Sequence, residues 1–271
     1  MSQRSVQQNE ITRPGADPDV IDAVDRTLAI LECFSSERPD LGISEISREL
    51  GMHKSAIFRS LATLEARGLV EKNPSTRRYS VGAKILRPAG AYLSAVGLHE
   101  RARPCMEQLM VATRETVSLY VPAGDRCVCI DRVESPLEVR RVIRVGDQVP
   151  LHAGSSGKVV LAHTEEPLRL ELLDRLEPVL SSWSGPDRRQ LEDQLAAIRQ
   201  AGVAISRGER VPGVYSASAP VFDAMGRVAA ALTVSGPAAR FEPARLEQYA
   251  GMVREAAAAI SRQLGHGLYG R

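Results

Sequence analysis

The chain has 271 residues, 44% of them hydrophobic and 25% charged, which suits one large or two modest domains and excludes a disordered, collagen-like or disulfide-scaffold protein. Its four cysteines, Cys33, Cys105, Cys127 and Cys129, are too sparse for a disulfide framework, and no run approaches the roughly 18 apolar residues of a membrane span. With a polar opening segment unlike a secretory signal, the expectation is a cytoplasmic protein with no membrane partner, whose net charge of +2 says little until it is divided along the chain.

Residues 1–19 lack periodicity and hold Pro14, Gly15 and Pro18, so they read as a flexible arm. From Ile21, the positions Val24, Leu28 and Leu31 make the apolar stripe of a helix ending near Phe34. Ser44 is the expected N-cap of a short helix carrying Ile46 and Leu50, which Gly51 stops in the left-handed conformation. A further helix spans His53 to Arg67 with the stripe Ile57, Leu61 and Leu64, and Gly68 closes it. Two strand-like runs, Leu69–Lys72 and Arg78–Val81, flank the turn formers Asn73 and Pro74. Residues 21–51 carry three basic against seven acidic side chains, whereas residues 52–82 carry six basic against two acidic. A local basic surface of this kind suits phosphate contacts, which act over about a Debye length.

Helix, short helix, glycine turn, helix and hairpin make the layout of a winged helix-turn-helix, whose second helix can enter the major groove. Candidate DNA-binding residues over 20–82 are Arg26, Ser44, Lys54, Ser55, Phe58 and Arg59, with Arg77 and Arg78 at the wing tip. His53, at the start of the second helix, is a further candidate for phosphate.

The stretches VDRTLAIL from Val24, ISEISREL from Ile43, KSAIFRSLATLEARG from Lys54, PLHAGSSGKVVLA from Pro150, IRQAGVAISRGE from Ile198 and GVYSASAPVFD from Gly213 occur in the order found in IclR-type transcriptional regulators. The chain resembles that family from about Ile21 to Leu264. Ala56 departs from it, standing where such regulators commonly carry a threonine in the recognition helix. The resemblance implies a GAF-like effector-binding domain, double-stranded operator DNA and a small-molecule effector as partners, and dimers that pair into tetramers. A two-fold operator by itself calls for a homodimer, with the helices at 21–34 and 83–95 as candidate dimer surfaces.

After the wing, residues 83–98 read as a linker helix interrupted by Pro88, and residues 99–271 as the effector-binding domain. Helical spacing over His99–Thr113 gives way to alternation in Val117–Val121 and Cys127–Ile130, and Val142 and Val145 are taken as strand residues before the turn at Gly146-Asp147. Helices are expected at Ser156–His163, at Pro186–Ala201 with Pro186 opening it, and at Pro243–Leu264; a hairpin joins Val214–Phe222 to Arg227–Ser235. Grouped strands with helices around them argue an α+β domain built on an antiparallel sheet. Trp183, alone in a serine-rich stretch, reads as a packing residue.

Gly154-Ser-Ser-Gly-Lys158 is no Walker loop, because His152 and Val159 stand where that motif needs glycine and Ser or Thr. It is instead a loop feeding a helix N-terminus, where free N–H groups could seat the carboxylate of the expected effector, a small organic or aromatic acid. The resemblance puts the effector between this helix start and the sheet. The expected lining is Leu151 and Val214 as apolar walls, Gly154 and Ser155 at the helix start, and Ser206, Ser216, Thr233 and Ser235 as hydroxyls, with few charges. No catalytic residue, metal or cofactor is expected: no G-x-S-x-G occurs. The alternatives are a metal- or thiol-redox-sensing regulator using Cys127 and Cys129, or an enzyme fused to a DNA-binding domain.

Overall fold

The computed structural model describes residues 21–35, 37–90, 97–182 and 185–267. The arm at 1–19, Trp183 and the linker positions 91–96 therefore lie outside the described residues. Residues 1–89 and 90–271 form two compact units, each described by itself below.

In the first unit the order is α1 (Asp22–Glu32), β1 (Asp40–Leu41), α2 (Ile43–Leu50), α3 (Lys54–Ala66), β2 (Val70–Lys72) and β3 (Tyr79–Val81). Ile57, Leu61 and Leu64 of α3 are buried with Ile46 of α2, Ile30 of α1, and Val70 and Tyr79 of the wing. At roughly 1.5–3 kcal/mol for each large apolar side chain, this cluster is what fixes α3 against its neighbours. Gly51, at φ +63, makes the sharp turn between α2 and α3 that a side chain would strain.

Four details of this unit correct the sequence reading. Ser44 is not the N-cap: that position is Gly42, two residues earlier, and Glu45 Oε2 accepts from the Gly42 N–H at 2.7 Å, so the side chain that caps the helix reaches back from within it. Helix α1 ends at Glu32 rather than Phe34. Its buried face is Ile30 and Cys33, with Thr27 Oγ1 3.1 Å from Ser60 Oγ, while Val24 and Leu28 of the expected stripe are exposed. The helix packs through the row beside the one that hydropathy marks. Lastly, the wing is three-stranded, because β1 pairs antiparallel with β3.

The second unit runs α4 (Leu98–Thr113), β4 (Thr116–Ala123), β5 (Arg126–Val133), β6 (Gln148–Pro150), α5 (Gly154–His163), α6 (Glu166–Ser182), α7 (Arg188–Ala201), β7 (Ala204–Arg207), β8 (Val214–Phe222), β9 (Val228–Pro237) and α8 (Pro243–Gln263). The six strands form one antiparallel sheet ordered β6-β5-β4-β9-β8-β7. Strand alternation assigns the faces. Val117, Leu119, Ala217, Ala219, Leu232 and Val234 pack with α4 and α8. Tyr120, Cys127, Cys129 and Ala231 pack with α5, α6 and α7 on the other side. An antiparallel sheet covered on both faces is the α+β architecture expected.

Here too the boundaries shift. Val142 and Val145 are exposed and belong to no strand; Asp147 Oδ2 accepts from Arg144 N–H at 2.8 Å and turns the chain, and backbone bonds of Gly146 and Asp147 to Cys129 lead into the β5–β6 ladder at Gln148. Asp187, not Pro186, opens α7, accepting from Gln190 N–H at 2.8 Å while the Gln190 side chain accepts from the Asp187 N–H. Helix α6 and strand β7 are additions to the elements expected from sequence spacing. Pro178 inside α6 obscures a helical repeat that Leu172, Leu176 and Leu180, all buried, do carry.

Candidate nucleic-acid interface and ligand cavity

With its apolar stripe committed to the core, α3 leaves Lys54, Ser55, Phe58 and Arg59 exposed on its first half, Phe58 by 51%. An exposed phenylalanine flanked by two cations offers a partner both apolar surface and positive charge. His53 is the N-cap residue and makes no side-chain cap bond. Ser44 lies exposed in the first turn of α2. Arg26 is exposed on α1 and pairs with Asp22.

The two wing arginines differ. Arg77 is exposed at φ +58 in the turn that Asn73 closes, its N–H donating to Asn73 O at 2.8 Å. Arg78 is engaged within the fold: Nε donates to Asp40 Oδ2 at 2.9 Å, and Nη2 to Asp40 O at 3.0 Å and to Glu45 Oε1 at 3.3 Å. Because Glu45 also caps α2, Arg78 ties the wing to the start of that helix.

In the second unit a cavity opens between α5 and the sheet. Leu151 is not part of it, being buried in the core beneath α5; the other seven residues expected there, Gly154, Ser155, Ser206, Val214, Ser216, Thr233 and Ser235, all line it. Tyr120, Arg141, Ile143, Val149 and Arg210 join them. The hydroxyls form an ordered set. Ser155 Oγ lies 2.6 Å from Ser216 Oγ and accepts from Ser218 Oγ at 2.7 Å; Thr233 Oγ1 lies 2.7 Å from Ser218 Oγ and 3.0 Å from Ser156 Oγ. These bonds tie α5 to β8 and β9.

Two features of the cavity overturn the expectation of a dipole-held anion with few charges. Glu209 Oε2 already accepts from the Gly154 N–H at 3.1 Å, while Glu209 Oε1 accepts from buried Lys158 Nζ at 2.7 Å. The protein's own carboxylate thus occupies the helix end. In addition, Arg141 and Arg210 line the cavity, and the Arg210 stem passes over Gly154, where a Cβ would crowd it. Burial pulls the Arg210 guanidinium below its ordinary range; Tyr120 and Asp147 oppose that shift and Arg141 and Arg126 add to it. Sequence reasoning missed both arginines because they lie on irregular segments, 134–147 and 208–213, where no periodicity reports which way a side chain faces.

Gly157 explains the second glycine of the loop: a Cβ there would run into the Pro150 carbonyl oxygen. Cys127 and Cys129 are fully buried on one face of β5, and burial pushes each thiol up to about 12, away from the reactive thiolate. Among the described residues no group of three His, Cys, Asp or Glu side chains is placed to hold a metal, and no helix is long and apolar enough to cross a membrane.

Comparison with known proteins matches the family model for the IclR helix-turn-helix domain over residues 23–74 and that for the bacterial transcriptional regulator IclR C-terminal over residues 90–262. The HTH-type transcriptional regulator BhcR of Paracoccus denitrificans (strain Pd 1222) is 36% identical over 244 residues, covering 89% of this chain and 86% of that protein. The HTH-type transcriptional regulator KdgR of Escherichia coli (strain K12) is 31% identical over 250 residues, covering 92% and 95%. Among solved structures, the Thermotoga maritima IclR superposes with a TM-score of 0.67 at 30% identity, over 90% of this chain and 98% of that one. An IclR homolog from Microbacterium hydrocarbonoxydans, complexed with 4-hydroxybenzoate, superposes with a TM-score of 0.75 at 26% identity, over 89% and 98%.

Proposed function

Since the chain belongs to the IclR family and is a transcriptional regulator with a helix-turn-helix DNA-binding domain, we propose that it reads a two-fold operator as a homodimer and is controlled by a small organic acid bound in the cavity of its second unit. The observation that carries this reading is that one chain combines an exposed cationic helix face with a cavity lined by hydroxyls and two arginines.

On the DNA side, Arg59 and Lys54 on α3 meet base edges, Ser55 and Phe58 contact sugar or the thymine methyl, and Arg77 reaches backbone or minor groove from the wing. Arg26 and Ser44 flank the surface as phosphate contacts. Arg78 acts by bracing the wing, since its guanidinium is spent on Asp40 and Glu45. The open face of α1, with Ile21, Val24 and Leu28 exposed, suits a second copy, as does exposed Leu86 in the linker; pairing of such dimers gives a tetramer. The protein acts in the cytoplasm.

On the effector side, a carboxylic acid fits the two arginines, and the 4-hydroxybenzoate complex of the Microbacterium homolog supports that ligand class. The acid shifts a population between dimer geometries that fit or miss the half-site spacing, so it must bind the two with different affinity. No step of this scheme is catalytic.

Selection from a random duplex pool tests the first half: recovered DNA should carry an inverted repeat, and anisotropy titration should show at least a thousandfold preference for it over random duplex, the low end for specific binders. Recovery of no common sequence would overturn it. The second half is tested by repeating the titration with a panel of aliphatic and aromatic monocarboxylic acids. At least one should change operator affinity, and Val214→Trp, which fills the cavity, should abolish that change while leaving DNA binding intact. A response that survives the filled cavity would overturn it.

A further inference from the structure

Between β7 and β8 the chain turns through residues 208–213, Gly-Glu-Arg-Val-Pro-Gly, with Gly208 at φ +79 and Gly213 at φ +76. Both ends are pinned by backbone: Gly208 N–H donates to Val214 O at 3.0 Å, and Gly213 O accepts from Ala238 N–H at 2.7 Å. The span between them is held differently. Among the described residues no backbone hydrogen bond of Glu209 or Arg210 ties it down. What holds it is one side chain, Glu209, with Oε2 on the Gly154 N–H and Oε1 on Lys158 Nζ. Lys158 is only 4% exposed, and its other partner is Gln194 Oε1 at 3.2 Å, so its ammonium needs the carboxylate beside it. The Glu209 side chain is 25% exposed and sits at the edge of this buried place.

The span is also part of the cavity wall. Arg210 and Val211 line the cavity, and the Arg210 stem lies across Gly154, its Cδ 3.0 Å from where a Cβ would stand. Moved outward, the span takes Arg210 with it and uncovers the first turn of α5. The two glycines suit such a movement, since a loop hinge is a few positions that absorb the change in φ and ψ, and nothing lies within 4 Å of the place of a Gly213 Cβ. The ion pair suits it too. Broken in place, it would strand a buried ammonium; opened with the span, it carries Glu209 into water and lets water reach Lys158, so hydration offsets the lost attraction.

We propose that residues 208–213 are a hinged door on the cavity, turning at Gly208 and Gly213, and that Glu209 and Lys158 are its latch, positioning Arg210 when the door is shut. Neither latch residue needs to touch the acid. That the door gates entry of the acid rests on the effector reading above and deepens it, whereas the latch itself stands on the contacts between the loop and α5.

Limited proteolysis of the full chain without DNA tests the proposal, with trypsin cuts mapped by mass spectrometry. Arg207 and Arg210, both exposed, offer cleavage sites at the door, while exposed Arg254 in the middle of α8 is cut only when the unit unfolds. Because cleavage follows the open population, the parent chain should be cut at the door before it is cut at Arg254. Glu209→Gln and Lys158→Met should each speed door cutting relative to Arg254 by roughly ten- to a hundredfold, the scale of one charge-assisted hydrogen bond. The double variant should be no faster than the faster single variant, because both remove the same contact. It also leaves no buried charge unpaired, so it provides the test if circular dichroism shows that Glu209→Gln does not fold. Unchanged door cutting in the double variant, additive effects of the two substitutions, or acceleration only in step with Arg254 would each overturn the latch. For the gate the probes are benzoate and butyrate. A bound acid that engages Arg210 holds the door shut, so whichever of the two changes operator affinity should slow door cutting in Glu209→Gln by about tenfold. An acid that changes operator affinity and leaves door cutting as it was would overturn the gate. If no acid of the panel changes operator affinity, the effector reading fails, and the gate with it, while the cutting pattern still decides the latch.

Discussion

At the scale of single residues, exposure separates roles that sequence alone treats as equal. Lys54, Ser55, Phe58 and Arg59 were legible before any coordinates, because the apolar repeat Ile57, Leu61, Leu64 fixes which side of α3 remains for a partner. Arg77 and Arg78 were not separable, since the acids that engage Arg78 lie 38 and 33 residues upstream. The contrast is measurable. Arg59→Ala should cost about 1–3 kcal/mol on the selected operator and less on random duplex. Arg77→Ala should lower the slope of log affinity against log salt by roughly one unit, whereas Arg78→Ala should change the slope less and lower the thermal midpoint of the first unit. Equal slopes for the two variants would contradict the division. His163 makes a pH prediction. Burial lowers its pKa, the Val159 carbonyl only partly opposing this, so the folded protein holds the imidazole neutral while the unfolded chain still takes the proton. Stability is therefore full above the ordinary histidine value near 6.5 and falls as the pH drops through it. Urea midpoints at pH 7.5 and 5.5 should show a smaller drop in His163→Gln than in the parent chain; an identical drop would place the titration elsewhere.

Among the secondary-structure elements, those with a clean period were legible and those whose limits depend on a distant or local side chain were not. Strands β4, β5, β8 and β9 alternate so regularly that the pairing of Thr233 and Ser235 on one face follows from spacing alone. The start of α2 was misplaced because Glu45 caps it from inside the helix, and α6 was missed because Pro178 interrupts a leucine repeat that is nonetheless helical. The loop before α5 is legible as a helix start, with close packing at its glycines as the alternative to an anion seat. Gly157 is now tied to the Pro150 carbonyl, which its absent side chain lets approach. Gly157→Ala should therefore lift α5 from β6 and destabilise the second unit by about 1–3 kcal/mol, the usual range for overpacking. A midpoint unchanged from the parent would show that this contact gives way freely. The same displacement should weaken acid binding, because Ser155 and Ser156 hang from the first turn of α5.

The molecule as a whole joins a helix-turn-helix unit to an IclR C-terminal unit, and the order of motifs along the chain makes that architecture legible. What spacing did not convey was the charge of the cavity, since Arg141 and Arg210 arrive on irregular segments and Glu209 takes the helix end that looked free. The central claim is that occupancy of the cavity changes operator affinity. The most direct measurement is an anisotropy titration of operator DNA at one fixed salt concentration, with and without a saturating acid from the panel, on the parent chain and on Arg210→Gln. The account predicts a shift of at least tenfold in the parent, a coupling of about 1.4 kcal/mol, and a loss of that shift in Arg210→Gln at the same acid concentration, with DNA affinity in the absence of acid unchanged. Equal operator affinity with and without every acid, or an equal shift in both proteins, would contradict it.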